Sequence, residues 1–379
     1  MPAEGRRALG VALLFKVWVA AYLYAAFVLT DPPREIGAFL FLRPGETREQ
    51  RVARIQSRFL ERLAPYDGQF YLDIAARGYR RLEGEPLWTN AAFFPALPLL
   101  LRTAGTLAGD PIPLALGFLG VLSALAVLPL WDVAKRLGLD PRIACAALFL
   151  FPTGVFQSFL YTEGLFLFLS SLGAWAALSG RLALASLAAA ACAVTRPQGI
   201  LVACFLFHGL EGKRRRPREW VTAFARRSLA LLPPLVALGS FLLWQEVELG
   251  TPFAFLDAQA FFGRSPGPGS AVRAIREVFS GSALPLDAAA ALFGLGALPW
   301  ILCRLPPAVA AYAVLSVAVP LASGTVLSMG RFLSTSFPHF LALSALLSRR
   351  PAACAVYGAA SLVLYLWCGS ALISWKFVG

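Results

Sequence analysis

Runs of roughly 20 mostly apolar residues recur from one end of this 379-residue sequence to the other, each long enough to cross a hydrocarbon core. No polar stretch between them is long enough to build a soluble core of its own. Composition agrees: 58% of residues are hydrophobic and 15% charged, too few polar groups to cover a soluble surface. An ordinary cytosolic enzyme is thereby excluded. The expectation is an all-α polytopic membrane protein forming a single integral-membrane domain over residues 1–379.

The first run, 8–30, follows Arg6 and Arg7; it is too long for a cleaved signal segment and reads as a retained signal-anchor. Further runs fall near 112–134, 142–160, 162–179, 182–195, 197–210, 228–247, 285–303, 307–326, 332–348 and 352–373. The stretch 91–108 contains Pro95, Pro98 and Arg102, which suit a re-entrant or juxtamembrane element better than a lipid-facing helix. Leaving it out of the count puts every short basic loop on one face: Lys135, Arg136 and Arg142; Arg181; Lys213 to Arg216 with Arg218; Arg304, Arg349 and Arg350. The expectation is about eleven spans, N-terminus inside and C-terminus outside. The excess of 34 Lys+Arg over 21 Asp+Glu then marks the cytoplasmic face and does not call for a nucleic-acid partner. The six cysteines are scattered through apolar runs and form no disulfide framework.

Two outward segments are large, 31–90 and 248–284. The first holds ten arginines and nine of the chain's 21 acids. Within it Val52, Ile55, Phe59, Leu60 and Leu63 recur at helical spacing between Arg51, Arg54, Arg58 and Arg62, the pattern of an amphipathic helix lying on the membrane surface.

Four outward motifs carry groups that could do chemistry. In Tyr66-Asp67-Gly68-Gln69-Phe70-Tyr71, Asp67 is either a helix N-cap or a base for a sugar hydroxyl. Asp73 stands four residues before Arg77 and is expected to pair with it. Glu163 opens a span at the outer boundary, where a carboxylate is costly unless paired. Arg196, in Thr195-Arg196-Pro197-Gln198-Gly199, is a candidate for binding phosphate or pairing with Glu163. Arg331, in Ser328-Met329-Gly330-Arg331-Phe332, is a second guanidinium candidate for a phosphate oxygen. His339 follows a few residues later and is a weaker candidate than a satisfied buried histidine. No P-loop, GxGxxG, HExxH, GxSxG or paired CxxC motif is present.

The ordered set YDGQFYLDIAARGY, NAAFFPALPLLLR, FPTGVFQSFLYTEGLFLFLS, TRPQG and SMGRF resembles the PIG-V-like mannosyltransferases, relatives of GPI mannosyltransferase II with the GT-C membrane fold. The resemblance covers roughly residues 60–345; Tyr66 stands where the family often has Trp, and Gln198 varies the RPxG element. It implies an inverting transfer of mannose from a polyprenyl- or dolichyl-phosphate carrier to a lipid-linked or glycan acceptor on the extracytoplasmic face. Asp67 would then be the general base, Arg196 or Arg331 would stabilise the leaving phosphate, and Tyr71, Phe93 and Phe94 would line the donor site. Surface helix 46–63 and Phe93-Phe94-Pro95 would form the rim where the lipid tail enters. No cofactor is firmly implied; Asp67 with Glu163 offers only two carboxylates to Mg²⁺ or Mn²⁺. A prokaryotic plasma membrane is expected, or an ER membrane with a lumenal site. The competing reading is a lipid flippase or small-molecule transporter, disfavoured because the distinctive polar groups gather on one face and not at mid-membrane.

Overall fold

The computed structural model describes residues 3–33, 36, 39–80, 89–210 and 216–378. Lys213, Arg214 and Arg215 of the basic run, and residues 81–88 of the first outer segment, lie outside the described residues. Among the described residues the fold is helical throughout, with no strand. Five helices are long and apolar enough to cross a membrane: Ala3–Leu29, Pro111–Arg136, Pro217–Leu249, Pro285–Arg304 and Pro351–Ile373. A sixth crossing is available if Pro152–Ser158 and Glu163–Leu178, bent by 101°, act as one broken span. The chain is a polytopic, integral membrane protein.

Among the described residues, the other apolar runs do not form helices of that length. Ala96–Ala108, Leu182–Ala193, Pro197–Phe207, Pro307–Leu321 and Phe337–Leu347 are shorter apolar helices of 10–17 residues. At 1.5 Å per residue even 15 residues cover only about 22 Å of a core about 30 Å thick. The run expected as one span over 142–160 is divided: helix Pro141–Phe149 ends, a 3₁₀ segment Pro152–Ser158 follows, and Phe159–Thr162 is non-helical. Hydropathy alone does not see such breaks.

Local chemistry explains where many helices begin. At Asp110-Pro111 and Asp140-Pro141, Asp is the cap and Pro the first helical residue, whose missing N–H would have had no partner anyway. Asp110 Oδ1 accepts from the Ile112 N–H at 3.1 Å, and Asp140 Oδ1 from the Arg142 N–H at 2.8 Å.

The first long helix is tied to Pro111–Arg136 at one end, and the segment that follows it is tied to the other end of Pro111–Arg136. Lys135 Nζ donates to Glu4 at 2.8 Å at one end. At the other, Arg43 pairs with Asp110 at 2.9 Å and with Glu61 at 3.0 Å. Ala3–Leu29 and Pro111–Arg136 therefore run antiparallel, with the basic residues at one end and the first acidic segment at the other.

The expected amphipathic helix is two pieces, Arg48–Ser57 and Phe59–Arg62, broken at Arg58. Of Arg51, Arg54, Arg58 and Arg62, only Arg58 is exposed. Arg51 is fully buried and donates to Glu61 at 2.5 Å, Arg54 pairs with Glu46 at 2.9 Å, and Arg62 is buried with its guanidinium on the Ile55 and Gln56 carbonyls. Leu60, expected on the buried side, is exposed. A carboxylate under the helix, Glu61, draws the charges inward.

Small residues let the central helices approach closely. Gly173 packs where a Cβ would meet Val202 at 3.1 Å, and a Cβ on Gly199 would fall 1.7 Å from the Cys192 carbonyl oxygen. That glycine holds the turn after Leu182–Ala193 tight enough to aim Arg196 back into the protein.

Candidate active site

Asp67 is placed by a pinned crossing. The Leu160 N–H donates to the Leu63 carbonyl at 2.8 Å, and the Tyr161 hydroxyl to the Pro65 carbonyl at 3.0 Å. These bonds fasten the segment before helix Asp67–Arg77 to the break before Glu163–Leu178, so two carboxylates far apart in sequence start neighbouring helices. Gly68 fits this crossing because a Cβ there would already touch Ala64 Cβ at 3.2 Å. The N-cap position belongs to Tyr66, at φ 46° and ψ −105°, a region a non-glycine residue adopts only at a cost. Asp67 is thus the first helical residue and makes no capping bond through its side chain; the cap role is excluded. The Tyr66 hydroxyl donates to the Trp375 carbonyl, and burial pushes its pKa up to about 12.

Arg331 is presented by a built turn. Ser328 lies at φ 66°, and both its N–H and that of Gly330 donate to the Asp287 carboxylate at 2.9 Å. Thr153 Oγ1 donates to the Gly330 carbonyl at 2.7 Å, and a Cβ on Gly330 would meet Thr153 Cγ2 at 2.8 Å.

The guanidinium so placed lies between the two carboxylates. Arg331 Nε donates to Glu163 Oε1 at 3.0 Å and its Nη2 to Asp67 Oδ2 at 2.8 Å, while the Phe156 and Tyr161 rings flank it at 4.9 and 4.6 Å. Arg196 reaches the same Glu163 oxygen at 3.4 Å and rests against Phe166 and Phe332 at 5.7 and 5.4 Å. Glu163 is completely buried, whereas the Asp67 side chain keeps 22% of its surface accessible. Arg196 Nη1 and Glu163 Oε2 are buried and take no hydrogen bond among the described residues.

This network forms one wall of a cavity of about 360 Å³, within the range of small-ligand sites. Asp67, Tyr71, Phe93, Phe94, Arg196 and Arg331 line it, together with Gln198, Phe255, Phe262 and Arg264 from elsewhere. Phe93 stacks on Phe70 at 4.8 Å and meets Phe262 edge-on at 5.7 Å; Phe94 meets Phe255 at 5.5 Å. Both phenylalanines are buried wall residues. The exposed large apolar side chains that line the cavity are Leu256, Val319 and Phe377. Burial, then the charges of Asp67 and Glu163, hold the Tyr71 phenol well above its usual pKa, so it is a neutral donor in the cavity.

Arg264 was not singled out by its sequence context, because SPGPGS next to it reads as a loop break. It donates to Gln259 at 2.6 Å and lies over Phe332 at 5.4 Å. Burial first, and Arg331 second, lower its pKa to about 10, which leaves it charged at neutral pH. Asp287 was missed as well, although an acid opening an apolar run is the same signal that identified Glu163.

Two candidates stand apart from the cavity. His339 is fully buried, bonded through Nδ1 to the Ser336 hydroxyl at 2.9 Å, and does not line the cavity. Asp73 is buried with Arg80 at 2.9 Å and Arg77 at 3.4 Å, a structural ion pair as its spacing suggests. Asp67 and Glu163 do not fit a divalent cation: the Arg331 guanidinium occupies the space where their oxygens converge, and no group of three His, Cys, Asp or Glu is found among the described residues.

The family model described as Mannosyltransferase (PIG-V) matches residues 14–215, which include Asp67, Glu163 and Arg196. GPI alpha-1,6-mannosyltransferase 2 of Mus musculus is 29% identical over 300 residues, covering 75% of this chain and 56% of that protein. The chain thus spans little more than half the length of that relative. With the match extending over more than half of its residues, the chain belongs to the mannosyltransferase (PIG-V) family, a family of glycosyltransferases.

Proposed function

We propose that this protein transfers mannose from a polyprenyl- or dolichyl-phosphate carrier to a hydroxyl of a lipid-linked or glycan acceptor, on the face opposite its basic loops. The observation that carries the reading is the Asp67–Arg331–Glu163–Arg196 network on the wall of the 360 Å³ cavity. Asp67 is its accessible member. Arg331 holds one carboxylate oxygen, and Oδ1 takes no hydrogen bond among the described residues, which suits it to accept a proton. The acceptor oxygen forms a bond to the anomeric carbon as the carbon–oxygen bond to phosphate breaks. The hydroxyl proton passes to Asp67, and the carrier phosphate leaves with the bonding pair. One displacement inverts the anomeric centre, so a β-linked donor gives an α-mannoside.

Charge balance supports a phosphodiester donor. Arg196, Arg264 and Arg331 line the cavity with a single carboxylate, Asp67, while Glu163 and Asp287 are buried outside its lining, so the wall presents positive charge to the single negative charge of the carrier. As the phosphate leaves it gains a second charge, and preorganised guanidiniums aimed at that charge lower the barrier. Arg196 with its unpartnered Nη1, and Arg264, are the groups free to do so, because Arg331 is committed to the two carboxylates. The aromatic walls from Phe93, Phe94, Phe255 and Phe262 suit the lipid end of the donor.

The Glu4–Lys135 pair, and the Arg43–Asp110 pair from the segment after Ala3–Leu29, support the topology with Ala96–Ala108 as a juxtamembrane element. Arg102 Nε of that helix donates to the Ala75 carbonyl, and Asp110 just beyond it pairs with Arg43, so the helix lies beside the first outer segment along its length.

The test is transfer by the purified chain in nanodiscs, with polyprenyl-phosphate-mannose and a panel of lipid and glycan acceptors. Asp67→Asn is expected to lower transfer by about 10²–10⁴-fold, the range for a general base, with donor binding retained. Full activity in that variant removes Asp67 from the role. Failure of the wild-type chain to bind the donor overturns the carrier assignment.

A further inference from the structure

A second cavity, of about 460 Å³, lies at the end of the molecule opposite the site described above. Three helices form it, and all three are charged at the same end. Along Ala3–Leu29 the wall runs from Arg7 to Phe15, and along the segment from Arg142 to Leu150 it runs the same way, each about 12 Å at 1.5 Å per residue. The third helix, Val127–Arg136, runs oppositely, with Val127 deep, Trp131 shallower and Lys135 at the charged end. The deep walls are apolar: Phe15, Val127, Phe149 and Leu150.

The charges at the mouth do not cancel. Glu4 also lines the cavity, but it is engaged by Lys135 at 2.8 Å. Arg7 and Arg142 are exposed and have no ion pair among the described residues. An opening with two unpaired guanidiniums over an apolar shaft that points into the bilayer is complementary to a molecule with an anionic head and a hydrocarbon tail. The volume suits one chain. The charged end carries the N-terminal arginines and the Lys135–Arg142 loop, so the molecule comes from the leaflet those loops face.

We propose that this cavity is a binding site for an anionic phospholipid of that leaflet, one acyl chain filling the shaft and the phosphate resting on Arg7 and Arg142. It is separate from the mannose-transfer site and shares no lining residue with it. The bound lipid joins the first helix to Pro141–Phe149, which the Glu4–Lys135 pair alone does not reach.

The test uses the full chain purified in detergent, with phosphatidylglycerol and phosphatidylcholine of identical acyl chains as probes and native mass spectrometry to count retained lipid. One phosphatidylglycerol per chain is expected to be held in preference to phosphatidylcholine. Arg7→Gln with Arg142→Gln is expected to weaken that retention by about tenfold or more, since each charge-assisted phosphate contact is strong. Ala146→Trp, at an exposed alanine lining the shaft, is expected to reduce it by occupying the chain's space. Arg349→Gln, an exposed arginine away from the cavity, is the control and leaves retention unchanged. All these positions are exposed, and an unchanged unfolding midpoint without added lipid verifies each fold. Equal retention of the two lipids, a preference that survives loss of both arginines, or undiminished retention in Ala146→Trp would each overturn the proposal.

Discussion

Glu163→Gln tests the polar centre most directly. The substitution is nearly isosteric and removes one negative charge from a fully buried position that two arginines face. Arg331 keeps Asp67 at 2.8 Å, and the new amide oxygen can still accept from its Nε. Arg196, itself only 7% exposed, loses its carboxylate and retains only the Phe166 and Phe332 faces. Removing one partner of a buried pair costs about 3–5 kcal/mol, and the retained bonds place this variant near the lower end. Arg196→Met is milder, because Glu163 still has Arg331 at 2.9 Å. The double variant leaves only the Arg331–Asp67 pair, which is balanced, and is expected to recover about 1–2 kcal/mol relative to Glu163→Gln. Thermal unfolding followed by reaction of the buried Cys192 and Cys368 thiols with a fluorogenic maleimide reads all three. A double variant no more stable than Glu163→Gln would refute the reasoning, as would a single variant within about 0.5 kcal/mol of the parent.

The placement of Arg264 on the cavity wall predicts that Arg264→Gln raises the donor KM more than it changes the unfolding midpoint; an unchanged KM and turnover would remove Arg264 from phosphate binding. Transfer is expected to keep its rate in a metal chelator, because Arg331 fills the space between the carboxylates, and strict dependence on Mg²⁺ or Mn²⁺ would contradict that geometry. Gly199→Ala drives a Cβ into the Cys192 carbonyl and is expected to destabilise by about 3 kcal/mol or more, with loss of folded yield on size-exclusion chromatography. Gly10→Ala, with nothing within 4 Å of the new atom, is expected to stabilise its helix by about 0.5–1 kcal/mol.

The site was legible in the sequence where chemistry and position conflict. Glu163, Arg196 and Arg331 are charged residues at the edges of apolar runs, where nothing but a partner makes them tolerable, and the structure places them in one network with Asp67. Asp287 carries the same signal, yet its role depends on two backbone N–H groups more than 40 residues away, which no local pattern reveals. Arg264 owes its place to tertiary packing against Phe332. The helical class followed from hydropathy, but the breaks within the apolar runs did not. Apolar content is the same in an α-helix, a 3₁₀ segment and a bent crossing, so Pro152–Ser158 and Pro197–Phe207 read as parts of straight spans. In 48–62 the spacing gave the helix but assigned the arginines to the wrong side, because pattern analysis cannot see that Glu61 folds beneath them.

The separation of the Glu163 partners along the chain also sets a timetable for biogenesis. As the nascent polypeptide leaves the ribosome, Glu163 enters the bilayer long before Arg331 has been made. Arg196 follows it by a single helix and return, and its 3.4 Å contact supplies a counterion for the interval. Arg331 then arrives and takes the shorter bonds, which releases Arg196 to face the cavity. The guanidinium that pairs with Asp67 reaches it only at that moment, and the Tyr66 hydroxyl waits still longer for the Trp375 carbonyl. The candidate site therefore assembles only after helix Pro351–Ile373 has been translated and packed, so that a chain stalled during insertion holds a neutralised Glu163 but no finished site.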